Sequence, residues 1–347
     1  MLSVCQSAAG KGRNMTDYSE SVELAQRIGI RAAARELGIP RTTLQSRVRK
    51  AGAIAPGSVS YDVIPEDDIP IEAVIRQQAE RFEARAASKA AREWQAVKVN
   101  EDKAIGVLFV GDVHISSPGC NIPLFLKHAE MCKNTDGLYG VNLGDVSDAW
   151  GGRLSHLLAE QEVSRSTEWR MADWVLNDCG IDWLAVLIGN HKFADNCLEV
   201  FRLQNRCAIL MEDWQAKFRI VFPNKKECKV NVAHNFKGNS QWNLLHGNQK
   251  EAKMGEQAHI YACGHHHDSA IHQEENGARG FVYWLLRARG YKHIDEYATV
   301  HGFPHQKEGS SVLAVIDPKA KTDSSFVTCF LDAEEGVEFL KWKRQRD

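Results

Sequence analysis

From Lys98 onward the chain is made of short, almost wholly apolar runs separated by helix-like stretches, and this alternation limits the fold more than any other feature. The runs IGVLFVGDVH, GLYGVNLGD, IDWLAVLIGNH, FRIVFP, KVNVAHNF, HIYACGHHH and SVLAVID each read as a strand. They are far too short to span a membrane and too uniformly apolar to leave one face in water. WLAVLIG and FVYWLL, the longest apolar stretches, have the length of a strand or a buried helix. Strands of this kind, with helices between them, imply an α/β sheet covered on both faces. In such folds chemistry gathers at the carboxyl ends of the strands. Several of these runs end in Asp, His or Asn.

Before this region the texture is different. Val22, Leu24, Ala25 and Ile28, then Ile30, Ala33, Ala34 and Leu37, recur at helical spacing, with Gly29 and Gly38 closing each helix. Pro40 cannot continue the second helix, and Thr42 and Thr43 sit near the start of a third, whose apolar positions are Leu44 and Val48. Between Arg27 and Lys50 six arginines and a lysine are opposed by Glu36 alone. A second helix crossing the backbone and a third in the major groove would bring such a cluster to phosphates. The segment RAAARELGIPRTTLQSRVRKA resembles the helix-turn-helix of Psq-type and recombinase or transposase DNA-binding domains. The resemblance implies DNA contacts from Arg41, Thr42, Thr43, Gln45, Arg47 and Arg49. A basic three-helix module for protein contacts is the alternative.

Residues 51–70 read as a linker of Gly, Pro and Ser with an acidic cluster. Residues 71–97 form a charged helical run that packs Val74, Ile75, Phe82 and Trp94 where it can. The expected organisation is therefore a DNA-binding domain over 1–52, a linker and charged helix over 53–97, and a catalytic domain over 98–347. The 347 residues suffice for this, and the formal net charge of -2 confines any basic surface to a local patch. Nine cysteines without CxxC spacing, and an N-terminal segment without an apolar core, point to a reducing cytoplasm.

The strand ends carry metal-capable side chains. In GDVHI, Asp112 and His114 are two apart, so an extended chain would turn them to one face. By the same rule His265 and His267 of GHHHD share a face, and His266 points away. NLGDVSD supplies Asp145, with Asp148 three residues on as a cap or turn residue. IGNHK supplies Asn190 and His191, neighbours that cannot easily both ligate one metal. His234 ends the run KVNVAH, and His246 in NLLHGNQ competes for the same role.

The order D-x-H, G-D-x-x-D, G-N-H, a lone His and G-H-x-H, from about Val107 to His267, resembles the calcineurin-like metallophosphoesterase superfamily. AHNFKGNSQWNLLHG, CGHHHD and RARGYKHIDEYATVHGF look especially like the members from phages and prophages. The resemblance implies a β-sandwich flanked by helices, four layers αββα, behind the small all-α helix-turn-helix domain. It also implies two divalent cations: Asp112, His114 and His267 on one, Asn190, His265 and the lone histidine on the other, and Asp145 bridging. His234 is preferred as the lone histidine, since it ends a clear strand, while His246 is left as a substrate contact or alternative ligand. A donor set of carboxylate, imidazole and amide without thiolate suits manganese first, with iron, zinc or nickel as alternatives. His191 is the candidate general acid, because an imidazole exchanges protons near neutrality.

The implied activity is hydrolysis of a phosphate ester, a phosphodiester of nucleic acid or nucleotide, with the N-terminal module targeting DNA. Lys192 stands where the family usually has an acidic residue that orients the histidine, and Asp195 is a possible substitute. That departure supports a second reading: a DNA-binding regulator or phage accessory protein on a weakly active or inactive phosphoesterase scaffold. A protein or small-molecule phosphatase whose basic module makes only protein contacts is a third. His156, His259, His293 and His305 receive no role, and Arg153, Arg287, Arg289 and Lys292 read individually as surface cations. The tryptophans, Trp150 and Trp242 among them, read as core.

Overall fold

The structure, a computed structural model, describes residues 16–53, 55–57, 69–151, 155, 157–159, 161–192, 209–278, 280–294 and 308–346. Arg153, His156, Asp195, His305 and parts of the expected linker and of the RARGYKHIDEYATVHGF segment lie outside the described residues. The chain divides into two compact units, Met1–Ala79 and Glu80–Asp347.

The first unit holds α1 (Thr16–Ile28), α2 (Ile30–Glu36) and α3 (Arg41–Lys50). Gly38, at φ 62°, ends α2 in the left-handed turn that a side chain would resist. There Gly38 N donates to Arg35 O and Ile39 N to Ala34 O, satisfying two carbonyls at the helix end. Ala25, Ala33, Ala34, Leu44, Val48 and Ala55 pack together as a small core. The boundary between the units falls within α4 (Ile71–Arg92), which buries none of its residues. Ile75 and Phe82, expected to pack, are exposed.

The second unit begins with β1 (Gln95–Lys98), β2 (Ile105–Val110), α5 (Ile122–Lys133) and β3 (Leu138–Asn142). It continues with α6 (Arg165–Asn177), β4 (Trp183–Leu187), β5 (Leu210–Glu212), β6 (Gln215–Val221) and β7 (Glu227–Ala233). Then come α7 (His246–Met254), β8 (Ile260–Cys263), β9 (Ala270–Asn276) and β10 (Phe281–Arg287). The last elements are β11 (Ser311–Ile316), α8 (Asp323–Phe326), β12 (Val327–Phe330) and α9 (Ala333–Arg346). FVYWLL is thus a strand, and no described helix is long and apolar enough to cross a membrane.

The strands form two six-stranded sheets, ordered β1-β6-β7-β8-β10-β9 and β12-β11-β2-β3-β4-β5. Along β2 alternate side chains take opposite sides, as a pleated strand requires. Val107 and Phe109 enter a core with Phe218, Ile220, Val230, Val232 and Ile260 of the other sheet. Leu108 and Val110 join Phe125, Val175 and Leu340 from α5, α6 and α9. On the far side of the first sheet, Tyr261, Cys263 and Leu285 pack against Leu245 and Ala252 at α7. The layers therefore run helix, sheet, sheet, helix. β2, β4, β8 and β11 are buried on both faces for this reason.

β2, β3 and β4 are mutually parallel, and so are β7, β8 and β10. Asn248 of α7, fully buried, ties two of these strands together by donating to Tyr261 O and Leu286 O, while Cys263 Sγ donates to its Oδ1. Replacing it with leucine leaves two buried carbonyls short of a donor and should lower unfolding free energy by about 1–3 kcal/mol. Chemical denaturation of Asn248→Leu checks this, and an unchanged midpoint would show that the clamp carries no load.

Candidate metal centre

Five parallel strands deliver the motif residues to one place. Asp112 and His114 follow β2, Asp145 follows β3, Asn190 and His191 follow β4, His234 follows β7, and His265 and His267 follow β8. The loops are stitched to one another rather than to solvent. His114 N donates to Asp145 O (3.0 Å), Asp145 N to Ile188 O (2.9 Å), Gly264 N to His234 O (3.0 Å) and Tyr291 N to Asp112 O (2.8 Å).

The alternation rule does not explain how the paired residues converge. His114, Asp145, His265 and His267 all have positive φ, at 47°, 51°, 74° and 53°. A left-handed backbone at non-glycine residues is strained and is retained where the surroundings over-determine it. His265 and His267 therefore diverge: the His265 ring lies 4.8 Å from that of His234, and the His267 ring 5.3 Å from that of His114. His266 points elsewhere, to Asn235 Nδ2. Close approach also dictates glycine at Gly189, φ 87°, where a Cβ would lie 2.2 Å from Asp145 Oδ1.

Among the described residues, two groups could hold a metal ion: Asp145, His234 and His265, and His114, Asp148 and His191. In the first, Asp145 Oδ2 is 3.2 Å from His234 Nε2, which also meets Asn190 Oδ1 at 2.7 Å and His265 Nδ1 at 3.0 Å. His234 Nδ1 faces Leu143 O at 2.9 Å, so its other nitrogen is the one presented to the cluster. In the second, Asp148 Oδ1 accepts from His114 Nδ1 (2.8 Å), which turns His114 Nε2 toward Asp145 Oδ2, 4.0 Å away. Asp112 adjoins the first group: its Oδ2 accepts from His265 N (2.6 Å) and its Oδ1 is 3.4 Å from His234 Nδ1.

The donor set fits metal binding on a further observation. Asp112 Oδ1 and His114 Nε2 are buried without a hydrogen-bond partner. Buried polar atoms are normally satisfied, and atoms left over in a cluster of carboxylates and imidazoles are what a cation would take up.

The groups of the cluster shift one another's protonation. Burial alone would lower His234, but Asp145 and Asp112 push it up to about 9. Burial pushes Asp112 up to about 6, against the pull of His234. Burial acts to raise Asp145 as well, yet His234, His191 and His114 together hold it well below the usual carboxylate range. Burial and the charge on His234 lower His265 to about 4. His267 lies well below its ordinary value through burial and the neighbouring His114.

His191 borders the cluster. Its N–H donates to Asp145 Oδ1 (2.9 Å), its Nδ1 meets Asp148 O at 2.5 Å, and its ring packs edge-on against Trp150 at 4.8 Å. Lys192 turns to Asp213, 3.8 Å away. His246 is exposed at the start of α7 and outside both groups. Among the expected DNA contacts, Arg41, Thr42, Thr43, Gln45 and Arg49 are exposed, whereas Arg47 is half-buried and donates to Ser21 Oγ.

The sequence reading missed three residues around the cluster. Asp148 is neither a helix cap nor a turn residue: its carboxylate serves His114. Buried Glu168 accepts from Ser116 Oγ and Ala149 N, and Ser116 Oγ in turn accepts from Asp148 N. Lys292, read as a surface cation, places Nζ 3.7 Å from Asp148 Oδ1 and 5.0 Å from the centre of the Trp150 ring. GDVSD spacing marked Asp148, but nothing in the sequence marked Glu168. Trp150 sits beside His191 instead of in the core, and Trp242 is 94% exposed.

No protein-family model and no curated protein matches the sequence. Among solved structures, the crystal structure of calcineurin-like phosphoesterase YfkN from Bacillus subtilis is similar over 71% of this chain and 98% of that one, at 12% identity and a TM-score of 0.32.

Because His234 holds a proton up to about pH 9, a cation that takes its Nε2 must expel that proton. Metal titration by calorimetry in buffers of different ionisation enthalpy should therefore show proton release near neutrality that fades as the pH rises through about 9. His234→Gln should lose that release and bind less metal, and His246→Gln should keep both. Release that stays constant up to about pH 10 would exclude His234 as the proton's holder.

Proposed function

We propose that this chain is a dinuclear-metal phosphoesterase of the calcineurin-like superfamily that hydrolyses phosphodiesters, and that residues 1–52 direct it to DNA. The observation that carries the reading is the meeting of five motifs, from five parallel strand ends, in one buried cluster with unsatisfied donor atoms.

In this reading Asp112, His114 and His267 would hold one cation, Asn190, His234 and His265 the other, and Asp145 would serve both. Asp148 orients His114, since its carboxylate oxygen is already taken by the ring. Manganese suits the donor set best, with iron, zinc or nickel as alternatives. When bound, a cation pair neutralises the phosphate and makes the attacking water more acidic. The protein's own part is to bind, orient and move protons. His191 donates its Nδ1–H to Asp148 O, which turns Nε2 toward the cluster; as general acid it must also carry a proton on Nε2, as the imidazolium, and hand that proton to the leaving oxygen, although burial lowers its affinity for it. The Asp148 carbonyl thereby supplies the orientation that Lys192, paired with Asp213, does not. This supports an active enzyme over an inactive scaffold. The diester preference follows from joining such a centre to a basic module whose Arg41 and Arg49 are exposed.

Manganese-loaded protein should hydrolyse a chromogenic phosphodiester, and Asp145→Asn should fall to background; equal rates would remove the catalytic reading. His191→Asn should lose about 10²-fold or more with an alkyl leaving group, and much less with nitrophenolate, which leaves without protonation. For the N-terminal module, Arg41→Gln with Arg49→Gln should weaken DNA binding and reduce the salt slope by about two. An unaltered slope would assign the module to protein contacts.

A further inference from the structure

The segment RARGYKH continues β10 at the same end of the sheet as the metal-centre loops, and the reaction outlined above leaves its arginines unused. Arg287 is accounted for by an ion pair, Nη1 to Asp268 Oδ1 at 3.0 Å. Lys292 belongs to the metal centre through Asp148. Arg289 differs from both.

Arg289 is only 4% exposed, and its Nε and Nη1 have no hydrogen-bond partner. Burial lowers its affinity for its proton, and no carboxylate among the described residues offsets that. A buried guanidinium without a counter-ion is costly and is normally paired. Its backbone is firmly placed: Arg289 N donates to Gly309 O (2.8 Å), Gly290 N to Ser310 O (3.1 Å) and Tyr291 N to Asp112 O (2.8 Å). The side chain is thus rooted two residues from the backbone that holds a candidate metal ligand.

We propose that Arg289 is the anion-binding residue of a second phosphate subsite, which takes a phosphate group of the substrate other than the one at the metal centre. The proposal rests on the phosphoesterase reading for the identity of the anion. The contacts of Arg289 differ from those of its neighbour at the metal centre: Lys292 places Nζ 3.7 Å from Asp148 Oδ1, whereas Nε and Nη1 of Arg289 meet none of the cluster's carboxylates. Burial and the charge of Arg289 lower His293, whose ring nitrogens are engaged by Ser310 Oγ at 2.8 Å and Asn121 Nδ2 at 3.3 Å. A planar fork with free Nε and Nη1 donors matches the paired oxygens of a phosphate.

The experiment has two arms. In the first, inorganic phosphate and pyrophosphate are added to metal-free protein and thermal unfolding is followed. Wild type should rise in Tm with anion, while Arg289→Met should respond about tenfold more weakly. Without anion, Arg289→Met should be as stable as wild type or more stable, because an unpaired buried charge has been removed. A structural arginine would instead leave the variant less stable with its phosphate response intact, and that result overturns the proposal. In the second arm, Arg289→Met in manganese should show KM raised about tenfold for an oligonucleotide diester that carries a flanking phosphate. KM for a small chromogenic diester, and kcat for both, should stay within about twofold. Equal loss on both substrates would place Arg289 at the scissile phosphate and overturn the second subsite. Absence of hydrolysis by the wild type would count against the phosphoesterase reading alone, since the first arm does not need turnover.

Discussion

Three buried carboxylates, those of Asp112, Asp145 and Asp148, stand within reach of the same few imidazoles, and the second unit is arranged around that concentration of negative charge. Carboxylates removed from water must find positive partners. Here a proton on His234, the ring of His114 and the ammonium of Lys292 provide part of the compensation. Asp112 Oδ1 and His114 Nε2 remain unsatisfied, and divalent cations would complete the balance. The same electrostatics makes the centre a scaffold element: each loop at this end of the sheets holds a group that needs another loop's group.

The architecture supplies what such a cluster requires. Two sheets packed face to face give seven strands, four mutually parallel in one sheet and three in the other, whose carboxyl ends open on one side, and five of them carry a motif residue. Buried strands fix the backbone up to Val110, Asn142, Leu187, Ala233 and Cys263, so the few residues beyond them have little freedom left. Left-handed conformations at His114, Asp145, His265 and His267 show where that constraint is spent on aiming side chains. Around them Glu168, Ser116 and Asp148 form a chain of hydrogen bonds that holds one loop against the next.

Much of this was legible in the amino-acid order. The apolar runs at β2, β3, β4, β8 and β11 announced themselves because both of their faces are buried, and those at β6 and β7 because at least every second residue is. β1 and β5 are only four and three residues long, too short to show a pattern. β9 is an edge strand with none of its residues buried, and it reads as polar. In the first unit Gly29, Gly38 and Pro40 marked the helix boundaries correctly, since each acts through its own backbone rather than through distant contacts. Ile75 and Phe82 were expected to find apolar partners and do not, which no local pattern could reveal.

What the sequence determined by itself was the inventory and its order: which donors stand at the ends of which strands, because local apolar patterning and residue chemistry are properties of neighbouring positions. The tertiary structure alone decided the groupings. It separated His265 from His267, since the backbone there is left-handed and the two-residue alternation of a strand no longer holds. It drew in His234 and left His246 in solvent, brought Asp148, Glu168 and Lys292 to the centre, and buried Arg289 without a partner. Those outcomes depend on distances between segments far apart along the chain, and such distances are fixed by how the sheets pack, not by any stretch of residues read alone.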